Sequence, residues 1–147
     1  MKQGLQIGFV VIALAITLYM IISPGGGPPA QQGTGPTKVQ VMEAVAVVDD
    51  YIRNATKGGG LKGRWFVVHG TVKDVTDVAI LLETGKDFAV ECKLSNVDDL
   101  EKVEKGKTIG VAGKGADGAL ANVPMTDCWL VESAEWEGKT STTINIP

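Results

Sequence analysis

Few side chains in this 147-residue chain are of the types that do chemistry, and their spacing restricts them further. There is one histidine, His69, and there are two cysteines, Cys92 and Cys128. One imidazole and two thiols do not assemble an obvious tetrahedral metal set. A lone His69 also leaves no Ser- or carboxylate-based triad that can be built convincingly around it. Gly110, Gly113 and Gly115 fall in or after a strand pattern, so they read as packing glycines and not as a phosphate loop. These features predict no catalysis, no metal and no cofactor. Asn54-Ala55-Thr56 matches the glycosylation acceptor pattern, but such tripeptides are common by chance.

The remaining candidates are aromatic. Trp65, Val67 and His69 alternate with Phe66 and Val68, so they share the outward face of one strand. With Trp129, and Trp136 in a similar role, they form a candidate surface for a peptide, glycan or protein partner. The competing expectation is that a helix over Val39–Ala55 packs there and buries it. Charge disfavours nucleic acid as the ligand: 14 basic residues face 17 acidic ones, interspersed as in Lys102-Val103-Glu104-Lys105. Aromatics make up only 5% of the chain, which leaves few platforms for base stacking.

The elements that must position these residues change character along the chain. Gly4 to Ile22 is apolar apart from Gln6 and Thr17, and as a helix it reaches roughly 28 Å, close to the hydrocarbon thickness of a bilayer. Lys2 precedes it and no charge follows until Lys38, which predicts a cytoplasmic N-terminus and an extracytoplasmic remainder, periplasmic or on the cell surface. A cleaved signal peptide is the rival, but Pro24 lies across the small-residue exit that cleavage needs. A type IV pilin helix is discounted, because Ala13 stands where that family carries its glutamate. The organisation expected is therefore an anchor over 1–23, a Pro/Gly-rich linker over 24–37, a folded domain over 38–134 and a C-terminal tail over 135–147 that looks loosely ordered.

Within the domain, apolar residues at 41, 44, 45, 48, 51, 52 and 55 have helical spacing, with Thr37 as the N-cap. The β-branched valines leave a strand over Val39–Val48 as an alternative. Beyond Gly58-Gly59-Gly60 the period becomes two. Strands are predicted over Trp65–Val72, Val78–Glu83, Phe88–Leu94, Thr108–Lys114 and Met125–Glu132, with a short helix over Asn96–Val103 capped by Ser95 or Asn96. Three strands, a helix and two strands is the order of an OB-fold. The expected class is thus all-β with accessory helices: a five-stranded Greek-key barrel preceded by one transmembrane and one amphipathic helix.

Gly63-Arg64-Trp65, Gly70-Thr71-Val72, Val90-Glu91-Cys92, the run Val103 to Lys114 and Asp127-Cys128-Trp129-Leu130-Val131 together resemble the tRNA_anti-like OB-fold family over roughly Val41 to Val131. The resemblance implies an extracytoplasmic OB domain behind a signal or anchor, with no catalytic residues to carry over. Cys92 and Cys128 lie on the third and fifth barrel strands, which are neighbours in an OB-fold. In an oxidising compartment a structural disulfide is expected, closing a loop of about 37 residues and contributing roughly 3–4 kcal/mol. Two buried free thiols are the alternative, and a redox-active pair a lesser one. The function expected is a membrane-tethered binding or scaffolding module. A haem chaperone of cytochrome c maturation is an alternative, although the His and Tyr of that family's tail are absent after Val131; a nucleic-acid-binding OB domain is another.

Overall fold

The computed structural model describes residues 32–54, 60–117 and 122–147. The expected anchor, most of the expected linker, and Ala55 and Thr56 of the glycosylation tripeptide lie outside the described residues. Among the described residues, no helix is long and apolar enough to cross a membrane.

In chain order the elements are β1 (Gly35–Glu43), α1 (Ala44–Asn54), β2 (Trp65–Val75), β3 (Ala79–Leu82) and β4 (Val90–Leu94). A 3-10 helix (Val97–Lys102) follows, then β5 (Thr108–Gly115), β6 (Val123–Val131), the short α2 (Ser133–Trp136) and β7 (Ser141–Ile146). Strand β2 pairs antiparallel with both β3 and β5, β3 with β4, and β5 with β6, while β4 and β6 run parallel. The five strands β2 to β6 therefore close on themselves and leave no free edge in the ring. This closed five-stranded barrel is consistent with the expected OB-fold.

The barrel follows from alternation. Phe66, Val68 and Val72 of β2 and Val90, Cys92 and Leu94 of β4 point inward and are buried. Helix α1 adds Ala44, Val47, Val48 and Tyr51, one apolar stripe at helical spacing, to the same core. Asn96 caps the 3-10 helix by accepting a hydrogen bond from the Asp98 N–H at 3.2 Å, as the sequence suggested.

Five expectations need correction. Residues 39–43 are strand, not the start of a helix; Val39 and Val41 alternate with Lys38 and Gln40, and β1 pairs parallel with β2 and antiparallel with β7. Thr37 is accordingly no helix cap, and its hydroxyl donates to the Gly35 carbonyl at 3.1 Å. The linker ends earlier than expected, since Gly35 to Thr37 already belong to β1. The tail is ordered as α2 and β7, because Thr142, Ile144 and Ile146 alternate with Ser141, Thr143 and Asn145 and bury one face against β1. Phe88, predicted as the first residue of the strand Phe88–Leu94, precedes β4 and is 38% exposed.

Candidate functional site

The outward face of β2, β5 and β6 carries the aromatic residues. Cross-strand register sets Trp65 beside Lys114, Val67 beside Ala112, and His69 beside Gly110. Strand β6 extends these rows with Trp129 beside Ala112 and Val131 beside Gly110. The ribbon of β1 and β7 crosses this face, and Val39, Val41, Ile144 and Ile146 bury Val67 and Ala112 completely. A cover was expected, but from a helix; α1 instead packs into the barrel core, and the strand ribbon takes its place.

The ribbon leaves Trp65, Trp129, His69 and Trp136 half-buried around its margins. Trp65 and Trp129 are brought together, with ring centroids 5.8 Å apart and planes tilted by 46°. His69 does not join them. It stacks on Trp136 at 4.9 Å with 14° between the rings. Trp136 is the residue the sequence undervalued. Its indole lies where the Cβ of any larger residue at Gly110 would sit, so a bare glycine in the strand makes its seat. A glycine inside a strand run often marks such an approach, and that was the available signal.

Beside Trp136, the 3-10 helix, β5, β6 and α2 enclose a cleft of about 390 Å³. Val103, Ile109, Leu130 and Trp136 line it with apolar surface, and Lys102 and Glu132 contribute charges of both signs. Lys102 is held by Asp99 at 3.0 Å. The volume lies within the range of small-ligand sites. A second cleft of about 230 Å³ lies beside Trp65, lined in part by Gln32, Lys38 and Arg64. There the Gln32 amide mimics a strand: it accepts from the Trp65 N–H and donates to the Trp65 carbonyl at 2.9 Å.

The expected disulfide is not present: Cys92 and Cys128 are both buried free thiols. The two cysteines are not cross-strand partners. Cys92 stands beside Met125, whereas Cys128 stands beside Leu94. Between Met125 and Cys128 the strand carries an extra residue, and Asp127 takes a left-handed φ of 53°. The Cys92 thiol approaches the Met125 sulfur at 3.9 Å, and the Cys128 thiol donates to the Thr126 carbonyl at 3.5 Å. The neighbouring Cys128 thiol, followed by burial, holds the Cys92 pKa well above that of an ordinary thiol. Such a sulfur is a poor nucleophile at neutral pH. Among the described residues no three His, Cys, Asp or Glu side chains cluster as a metal site.

The fold and this face together describe a closed β-barrel whose aromatic outer surface is partly covered by a two-stranded ribbon. No family model matches the chain, and no curated protein matches it. Fourteen chains among solved structures do match. One is the crystal structure of a Klebsiella pneumoniae lipoprotein described as a candidate nucleic-acid binder. It is 13% identical, covers 62% of this chain and 91% of its own, and has a TM-score of 0.46.

Proposed function

We propose that this chain is a membrane-tethered, extracytoplasmic OB-fold binding module of the tRNA_anti-like kind, without catalytic activity, that takes its ligand in the cleft beside Trp136. The cleft carries this reading. It offers an apolar floor from Ile109 and Leu130, an indole wall fixed on Gly110 and His69, and charged groups of both signs. That chemistry suits an apolar side chain of a peptide or protein flanked by polar groups. It suits a polyanion poorly.

The surface that OB-folds commonly use for oligonucleotides corresponds here to β3 and β4. Those two strands contain no aromatic residue, and Leu81 and Glu91 stand opposite each other there, with Lys93 opposite Ala79. Nucleic acid therefore gains no stacking platform from those two strands.

A crosslinking pulldown from membranes tests the reading, with the intact chain compared against Trp136→Ala. A partner captured by the intact chain and lost with the variant is the expected outcome, given equal thermal melts for the two proteins. Equal capture by both would remove the cleft from the function.

A further inference from the structure

Three cations surround the Trp65–Trp129 pair. Lys114 is the cross-strand partner of Trp65, and Lys38 and Arg64 line the cleft beside the same indole. The ion pairs of the described residues engage Lys62, Lys86, Lys102 and Lys105, and none of these three. All 17 acidic residues of the chain lie among the described residues, and none forms an ion pair with these three cations; Asp127 adjoins Thr126, the cross-strand partner of Lys114. In a chain of net charge −3 this is a local excess of positive charge around two half-buried indoles.

The same face receives the polypeptide as it enters the barrel, because Gln32 binds both backbone groups of Trp65. In the sequence, the apolar run ends at Ile22. The chain from Ile22 to Gln32 spans at most about 35 Å when fully extended. A bilayer holding that apolar run is thus within reach of this face.

We infer that this face docks on an anionic bilayer, with Trp65 and Trp129 entering the headgroup layer and Lys38, Arg64 and Lys114 meeting lipid phosphates. The inference rests on the tethered reading above. Amphipathic indoles favour the interface, and each cation close to an anionic surface strengthens binding by about fivefold. A single strand of nucleic acid would want open ring faces to stack on. Here each half-buried ring packs against the other, with the planes tilted by 46°.

The test uses the full chain in a Trp136→Phe background, so that only Trp65 and Trp129 report. It is mixed with vesicles of phosphatidylcholine alone or with about 30% phosphatidylglycerol, each containing brominated lipid. Expected is incorporation into both vesicles, but indole quenching only with the anionic lipid. Quenching should be lost at 0.5 M salt and reduced about fivefold in affinity for each of Lys38→Gln, Arg64→Gln and Lys114→Gln.

Incorporation with quenching indifferent to phosphatidylglycerol overturns the docking face and leaves the tether standing. Anionic-lipid quenching without incorporation into neutral vesicles upholds the face and removes the tether. Loss of both removes both. An oligothymidine that binds through the same three cations, with no response to anionic lipid, overturns the proposal in favour of nucleic acid.

Discussion

The Tyr51 hydroxyl donates to the Ala116 carbonyl at 3.0 Å, inside the seam where α1 meets the barrel. Burial pushes its pKa from 10.0 up to about 12. The folded value lies above the unfolded one. The neutral phenol's stabilisation is therefore complete below about pH 10 and disappears as pH rises through about 12. Tyr51→Phe removes one buried hydrogen bond and is expected to cost about 1 kcal/mol near neutrality. Urea melts across pH 8 to 12 check both statements: the gap between the two proteins closes as the solution becomes alkaline, and a constant gap refutes the assignment. Gly113 gives a second residue-scale case. A Cβ there would overlap the Cys128 sulfur and approach Met125 Cε at 3.2 Å. Gly113→Ala should lower stability by about 1–3 kcal/mol through overpacking, measured in the same melts. The thiols themselves are expected to be silent toward an aromatic disulfide reagent in the native barrel. Both should titrate, without prior reduction, once the chain is unfolded, because neither sulfur is exposed and neither is bonded to the other. A count below two in the unfolded chain would show that the pair oxidises.

Among the elements, the short α2 has no side-chain cap. Its Trp136 lies over Gly110 and against His69, and its Glu135 accepts from the Thr142 hydroxyl of β7 at 3.2 Å. Gly110→Ala should lift the indole off the sheet, shift its emission to the red and open the neighbouring cleft while the barrel still folds. Unchanged emission would mean that α2 is held by something else. The same scale explains which elements were legible in the sequence. Strands β2 to β6 could be read because each is a short apolar-rich run bounded by turn residues, and the cap at Asn96 follows from its side chain alone. The stretch at 39–48 was ambiguous, since valines at 39, 41, 45, 47 and 48 fit a strand and a helix, and the chain uses both in succession. Strand β7 escaped notice because Ser141–Ile146 has little apolar bulk and is ordered by β1, a partner distant in sequence. Trp65, His69 and Trp129 were found as outward aromatics, but their pairing was not. It depends on the extra residue near Asp127 and on the seat at Gly110, and both are properties of register. The same register sets Cys92 opposite Met125 and Cys128 opposite Leu94, so the two thiols are not cross-strand partners.

For the whole molecule, the balance of charge bears on the choice between a lipid surface and a nucleic acid. With 14 basic and 17 acidic side chains, the chain as a whole repels a polyanion, and attraction must come from a local cluster. The group at Lys38, Arg64 and Lys114 offers three cations and therefore about three phosphate contacts. For a single strand this corresponds to a salt slope near −2, well short of the six to ten contacts that sustain ordinary non-specific binding. The opposite side adds little, because β3 and β4 lack stacking rings. Fluorescence anisotropy with a labelled oligothymidine should therefore show no saturable binding at about 50 mM salt. A saturable curve whose affinity falls linearly with log salt at a slope steeper than about −4 would require cations beyond these three, and would overturn this account of the charge. The bilayer differs in kind from the oligonucleotide. On the tethered reading proposed above, it presents many headgroups at once to a domain held close by its own chain, so three cations that are too few for capture from solution are enough to orient the barrel.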